Sequence, residues 1–510
     1  MPRLLPALLL AAVAAVLPAT PALGASVSLG GSPLNVTVGD QGQLQAFRTD
    51  RTDPASPPGI FYRPTRELGD AGFFLAIPAG ADQGVWGFSG SAGPGGLNAY
   101  TTTSQDPVTG AGTAASPLSQ VTRYAVASAL NVTQTTTYVN GAQELHVRWD
   151  VTATTAPVQY KAIAAADFFF DGDDAGTGIF TQGPPRFIGG TNVDSGSSGG
   201  FVEVAPAWSH YQALDFPTVW SKVEAAADDA NPIWDDSVLD HPADNAGGVE
   251  WDAQSLAAGA TRSYELIIRS AVPSALQLNP TNAGSRQGVP VGVTATATDS
   301  NGQPYAGKTL RYAIAGPNAA TGSATLDGAG TAVVTDPGTN AGTDTVTVFV
   351  DFNNDGIRQS IEPQASALAT FVDSVPPTCT ITVSGTLPVG GGSGKPLVVN
   401  VSCGEGATVS VATTLQPPTV RARAATTRKK PRKPKKITLK PQTVAVAAGA
   451  PTPVKLAIPK SVARRYAGKT LTATIVITAT DAAGNVQKTT VKRKVKLAKI
   501  KVKHKHKHHR

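Results

Sequence analysis

Nowhere does this chain repeat apolar residues at helical spacing over any length. Short Thr- and Val-rich runs alternate apolar with polar residues instead, and 52 Gly and 39 Pro among 510 residues cut them into pieces. That pattern leaves an all-β chain of short strands and many turns. Its length exceeds what one core can organise, so two to four domains are expected. The clearest local signal is a hairpin at Asn140-Gly141. Beyond that turn Leu145, Val147, Trp149 and Val151 alternate with His146, Arg148, Asp150 and Thr152, so one face goes to a core and the other to solvent.

Residues 25–271 read as one large domain without a helical interior, whose length suits a β-sandwich of two broad sheets. In outline it resembles the supersandwich of sugar-mutarotase-like folds, with no His and Glu pair onto which their catalysis could be carried. Residues 272–372 change spacing. They hold Gly302-Gln303-Pro304 with Gly307, Gly322 to Thr325, Asp327-Gly328-Ala329-Gly330-Thr331-Ala332 and Ala341-Gly342-Thr343-Asp344-Thr345-Val346. This stretch resembles the invasin/intimin-type bacterial Ig-like domains. The resemblance implies an Ig-like sandwich acting as a spacer, not a reaction. Residues 373–492 open on Asp373-Ser374-Val375-Pro376-Pro377-Thr378 and close through Asp481-Ala482-Ala483-Gly484-Asn485-Val486. That pair looks like a second bacterial surface Ig-like repeat. It departs from the pattern by a Pro-, Arg- and Lys-rich insertion at 416–436, which reads as a solvated loop. A basic Lys/His-rich tail, 493–510, follows.

The two ends of the chain bear on location. Residues 1–24 read as a signal peptide: Arg3, an apolar stretch from Leu4 to Leu17, then small residues at Ala22-Leu23-Gly24. No later run approaches the roughly 18 apolar residues of a membrane span, so the mature chain is expected outside the cell, secreted or at its surface. In that compartment Cys379 and Cys403 are expected to form a disulfide, the alternative being two buried thiols. Residues 421–510 carry 26 Lys and Arg against one acid, Asp481, a net of +25. The totals of 43 basic and 36 acidic residues leave 17 − 35 = −18 for residues 1–420. A basic module on an acidic body is an electrostatic adhesive for a polyanion. Export favours an anionic cell-envelope polymer or lipid headgroups over nucleic acid.

Three constellations could carry chemistry. Asp351-Phe352-Asn353-Asn354-Asp355-Gly356-Ile357-Arg358-Gln359-Ser360-Ile361-Glu362 fits D-x-[DN]-x-[DN]-G-x5-E in full. Calcium wants six to eight hard oxygens. Asp351, Asn353, Asp355 and Glu362 offer side-chain oxygens, Ile357 its backbone carbonyl, and Gln359 a direct or water-bridged oxygen. The flanks read as strand and Pro363, so the expected form is an EF-hand-like loop grafted on a hairpin; the alternative is a polar turn without metal. Asp167, Asp171, Asp173 and Asp174 form a second acidic group. Trp208, Trp220, Trp234 and Trp251 crowd one window beside Glu203, Asp235, Asp236, Glu250 and Asp252. They are possible ligand-binding residues for a glycan, or else the core of a large sandwich. Gly196-Ser197-Ser198-Gly199-Gly200 matches G-x-S-x-G, but in a Ser/Gly loop and not on a nucleophile elbow. The reading is a non-enzymatic adhesion or binding protein whose head takes a glycan or protein ligand. The alternative is a secreted carbohydrate-active enzyme or carbohydrate-binding protein acting through residues 25–271.

Overall fold

The computed structural model describes residues 25–51, 58–88, 96–228, 232–383, 386–387, 396–418 and 434–499. The stretch read as a signal peptide, most of the basic insertion and the last eleven residues of the tail lie outside them. Nearly all the regular structure of the described chain is strand, as its patterning requires, arranged around separate apolar cores.

The N-terminal domain is the expected large sandwich, its two broad layers made continuous by one shared strand. One sheet of fourteen strands folds back on itself, and a three-stranded sheet formed by Ser26–Gly30, Leu34–Gly39 and Leu44–Arg48 completes the enclosure. The two layers join at the strand Ala243–Leu256, which pairs with Val158–Asp167 over most of its length and with Ala175–Thr181 at its start. The Asn140-Gly141 hairpin forms as its sequence demands: Leu130–Tyr138 pairs with Glu144–Ala153, and Leu145, Val147, Trp149 and Val151 are buried.

A second core on the outer face corrects the helix-free expectation. The helix Phe216–Glu224 starts at Asp215, whose carboxylate accepts the Thr218 N–H at 3.1 Å, and has Pro217 in its first turn. Its Val219, Trp220 and Val223 pack with Phe74, Ala76, Ile163 and Ala165. This explains why Ala71–Ile77 and the Ile163–Ala166 stretch are unbroken apolar runs, since both of their faces are covered.

The next two modules share one plan. In each, a first strand joins a three-stranded sheet, and a second then crosses to pair in parallel with the last strand of the larger sheet. These are Gln277–Asn279 and Asn282–Arg286 in one module, Cys379–Val383 and Thr386–Leu387 in the other. The larger sheets have five and six strands, and each pair of sheets encloses its own core. Cys379 and Cys403 face each other across neighbouring strands and form the expected disulfide. One boundary moves: the last strand runs Val486–Leu497, so residues 493–497 belong to the fold and not to the tail. The reason is burial, because Val495 and Leu497 are each 1% exposed while lysines alternate with them.

Candidate metal centre and basic face

The 351–362 loop begins where the strand Gly342–Asp351 ends. Asp351 is fully buried, and its Oδ2 accepts the Gly356 N–H at 3.0 Å and the Arg311 Nε–H. Asn353 Oδ1 accepts the Asp355 N–H at 3.1 Å, and Asp355 Oδ1 accepts the Ile357 N–H at 2.6 Å. Glu362, 1% exposed, closes the loop: its two oxygens accept the N–H groups of Phe352 at 2.9 Å and Gln359 at 3.0 Å. Burial raises the Glu362 carboxyl above its ordinary range; those two N–H groups oppose the shift, and Asp351 and Asp355 add to it. Gly356 takes a φ of 80°, the left-handed turn this position needs.

Two oxygens decide whether a hard cation fits. Asp351 Oδ1 and Gln359 Oε1 are buried without a hydrogen-bond partner, and unpaired buried acceptors at loop positions one and nine suit an oxygen-seeking ion. The carboxylates of Asp351, Asp355 and Glu362 are not drawn together to the 4.8 Å mutual spacing reached by Asp373, Glu405 and Asp481. Asp355 Oδ2 instead holds Gln359 Nε2 at 2.6 Å, and the Ile357 side chain is 68% exposed.

The loop touches the N-terminal domain. Phe352, 3% exposed, stacks edge-on against Tyr305 at 4.8 Å between ring centroids, and the Tyr305 hydroxyl donates to Gly196 O at 3.1 Å. A Cβ on Gly196 would lie 2.4 Å from the Phe352 ring, so only glycine fits there. This gives the Gly196-Ser197-Ser198-Gly199-Gly200 stretch a packing role. Val272 and Ser300 exchange backbone contacts beside it: the Ser300 N–H donates to Val272 O at 2.8 Å, and the Ser300 hydroxyl accepts the Val272 N–H at 3.2 Å.

The second acidic group stays partly together. Asp171 holds the Ser197 hydroxyl and Arg51, and Asp173 caps the Ala175 N–H while interacting with Asp174. Asp167 feels the charge of Asp174 and also those of Asp244 and Asp70, which sequence proximity did not suggest. Asp373 and Asp481 belong to the opening and closing motifs of the last module, and Glu405 joins them without a sequence signal of its own.

The four tryptophans are core, the alternative that their sequence window left open. Trp208, Trp220, Trp234 and Trp251 are only 2–3% exposed. Trp220 and Trp234 fill the core under the helix, while Trp208 and Trp251 fill the main one. They are large rings consumed by a double-layered interior. Of the neighbouring acids, Glu250 is fully buried against Lys161 at 3.3 Å, and Glu203 grips Arg186.

Strong positive charge gathers on the last sheet. Lys488, Lys492, Lys494 and Lys496 are exposed on one face of Val486–Leu497 and lie opposite Thr478, Thr474, Thr472 and Thr470 of the strand Thr470–Asp481. Among the described residues none of these lysines has an acidic partner. Alternate residues of a strand sit about 6.8 Å apart, so Lys492, Lys494 and Lys496 form an evenly spaced ladder of charge, with Thr490 standing between it and Lys488. Among the described residues no helix is long and apolar enough to cross a membrane.

No family model matches the chain, and no curated protein does. Among solved structures it is similar to the adhesin InvE of Yersinia pseudotuberculosis, with 17% identity, 43% of this chain and 58% of that one covered, and a TM-score of 0.22. It is also similar to an alpha-2-macroglobulin of Salmonella, at 11% identity over 93% and 34% of the two chains with a TM-score of 0.18. A third is the D0-D1 domain of intimin, at 17% identity over 43% and 98% with a TM-score of 0.17. The chain thus spans 58% of the InvE structure and 34% of the alpha-2-macroglobulin. At such TM-scores these likenesses carry no argument about function.

Proposed function

We propose that this is an exported binding protein of the cell envelope: a large acidic head carried on two Ig-like modules, held to an anionic surface by the last module and the basic residues after it. The observation that supports the reading most is the lysine row at 488, 492, 494 and 496, without acidic partners and on a module with a net charge of +25 in its last 90 residues. Each Lys or Arg near an anionic surface contributes about 1 kcal/mol, screened over about 8–10 Å. The surface is an envelope polymer or lipid headgroups, and the head presents the ligand-binding part. A calcium ion held by Asp351, Asn353, Asp355, Ile357, Gln359 and Glu362 would brace the head against the first module. The carbohydrate-active alternative would need a site other than the four buried tryptophans.

The test compares full-length protein with a Lys492→Gln, Lys494→Gln, Lys496→Gln variant on vesicles containing anionic lipid and on an insoluble anionic polymer. Losing three lysines should weaken binding by roughly two orders of magnitude, and moderate salt should elute the parent protein. Equal retention of both proteins, indifferent to salt, would reject the reading.

A further inference from the structure

We propose that Arg311 is a built-in counter-cation of the 351–362 loop, and that it sets the affinity with which the loop takes calcium. The inference rests on the calcium reading of that loop and adds the residue that governs it.

A buried carboxylate such as Asp351, with no exposure, is costly to leave without a positive partner. Arg311 supplies it: its Nε–H is donated to Asp351 Oδ2, the same oxygen that accepts the Gly356 N–H. The other oxygen, Oδ1, is left without a partner. Arg311 is not part of the loop. It lies within the strand Thr309–Ala315, opposite Phe349, while Asp351 is opposite Thr309. The two side chains are therefore diagonal neighbours on one sheet face, a geometry fixed by register. Its side chain is 35% exposed, reaching inward from the sheet surface.

Two consequences follow. Without calcium, Arg311 neutralises Asp351, and the N–H groups of Phe352, Gly356 and Gln359 keep the loop folded around Asp351 and Glu362. With calcium on Oδ1, two cations would share one carboxylate and repel each other. A loop with the full ligand pattern is thereby tuned to weak binding, in the range of about 10⁻⁴–10⁻³ M found outside cells. Arg358 lines the same groove as Arg311 and Gly356 but does not touch Asp351, so it serves as the control charge.

The experiment is calorimetric titration of calcium chloride into the chelator-treated full-length chain: parent, Arg311→Gln, Arg311→Lys and Arg358→Gln. Arg311→Gln should bind calcium about tenfold more tightly or better, because a unit charge beside a dication is removed. Arg311→Lys should stay within about threefold of the parent, having kept the charge, and Arg358→Gln within about twofold, being screened by solvent. In chelator, Arg311→Gln should also melt below the parent, since Asp351 is left buried and unpaired. If chelator unfolds that variant outright, the calcium concentrations that refold the Gln and Lys variants carry the same comparison. A parent that binds calcium while Arg311→Gln binds it no more tightly overturns the role of Arg311. No binding by any of the four proteins overturns the calcium reading itself, and a lower melt of Arg311→Gln in chelator then leaves Arg311 as a purely structural partner.

Discussion

Asp167→Asn should make the head less sensitive to rising pH. Asp70 and Asp167 sit side by side at the ends of neighbouring strands, where the Asp167 N–H donates to Asp70 O at 2.8 Å, and they are 3% and 2% exposed. Asp70 Oδ2 and Asp167 Oδ1 have no hydrogen-bond partner. Burial pushes the Asp167 carboxyl from 3.8 to about 9, helped by Asp244, Asp70 and Asp174. Burial likewise raises Asp70 to about 7, against the pull of Arg63 and Arg66. A carboxyl raised on folding stabilises the fold fully only below 3.8, where both states are protonated, and that stability drains away as pH climbs through the folded value. One pKa unit is worth about 1.4 kcal/mol, so Asp167 alone should cost the head roughly 3 kcal/mol between about pH 5 and pH 7. All six tryptophans lie between residues 86 and 251. Urea unfolding followed by tryptophan fluorescence therefore reports the head within the full-length chain. The parent should lose stability across that window, and Asp167→Asn should remove about 1.4 kcal/mol per pH unit from the slope. A variant whose slope matches the parent would refute the claim that Asp167 is held protonated.

Replacing Cys379 and Cys403 together by Ala opens a crosslink with a sequence separation of 24 and should cost the last module about 3.5 kcal/mol in the chain-entropy account. Calorimetry checks this, and a module whose transition does not move contradicts it. Phe352→Ala removes a ring that fills the space beside Gly196 and should cost about 3–5 kcal/mol. Hydrogen exchange should quicken at the Val272 and Ser300 amides, because the joint loosens with it; exchange that stays at the parent rate would show that Phe352 does not hold the joint.

What could be read from the chain was whatever depends on near neighbours. Period-two alternation at 145–151 gave the strand and its buried face, and Asn140-Gly141 gave the turn. The spacing of 351–362 gave a loop whose hydrogen bonds close on Asp351 and Glu362. The helix at 216–224 was also locally marked, by Asp215 and Pro217, but one turn of apolar residues is too short to stand out among strands. Contacts across distant sequence left no such trace. Asp70 and Asp167 are brought together only because Ala71–Ile77 pairs with Val158–Asp167. Arg311 reaches Asp351 only through the register of two strands whose pairing residues are some 40 apart. The same limit governs the tryptophans: their clustering in sequence left a ligand face and a core both open, and the helix laid over the sheet takes Trp220 and Trp234 into its core while the main core takes Trp208 and Trp251. In a chain of this kind sequence proximity locates the oxygens proposed to hold an ion, while the sheet's register places the charge proposed to tune them. Arg311 is therefore where the calcium reading is most exposed to test, since a positive residue held by the sheet beside Asp351 is a feature that the loop motif alone would never require.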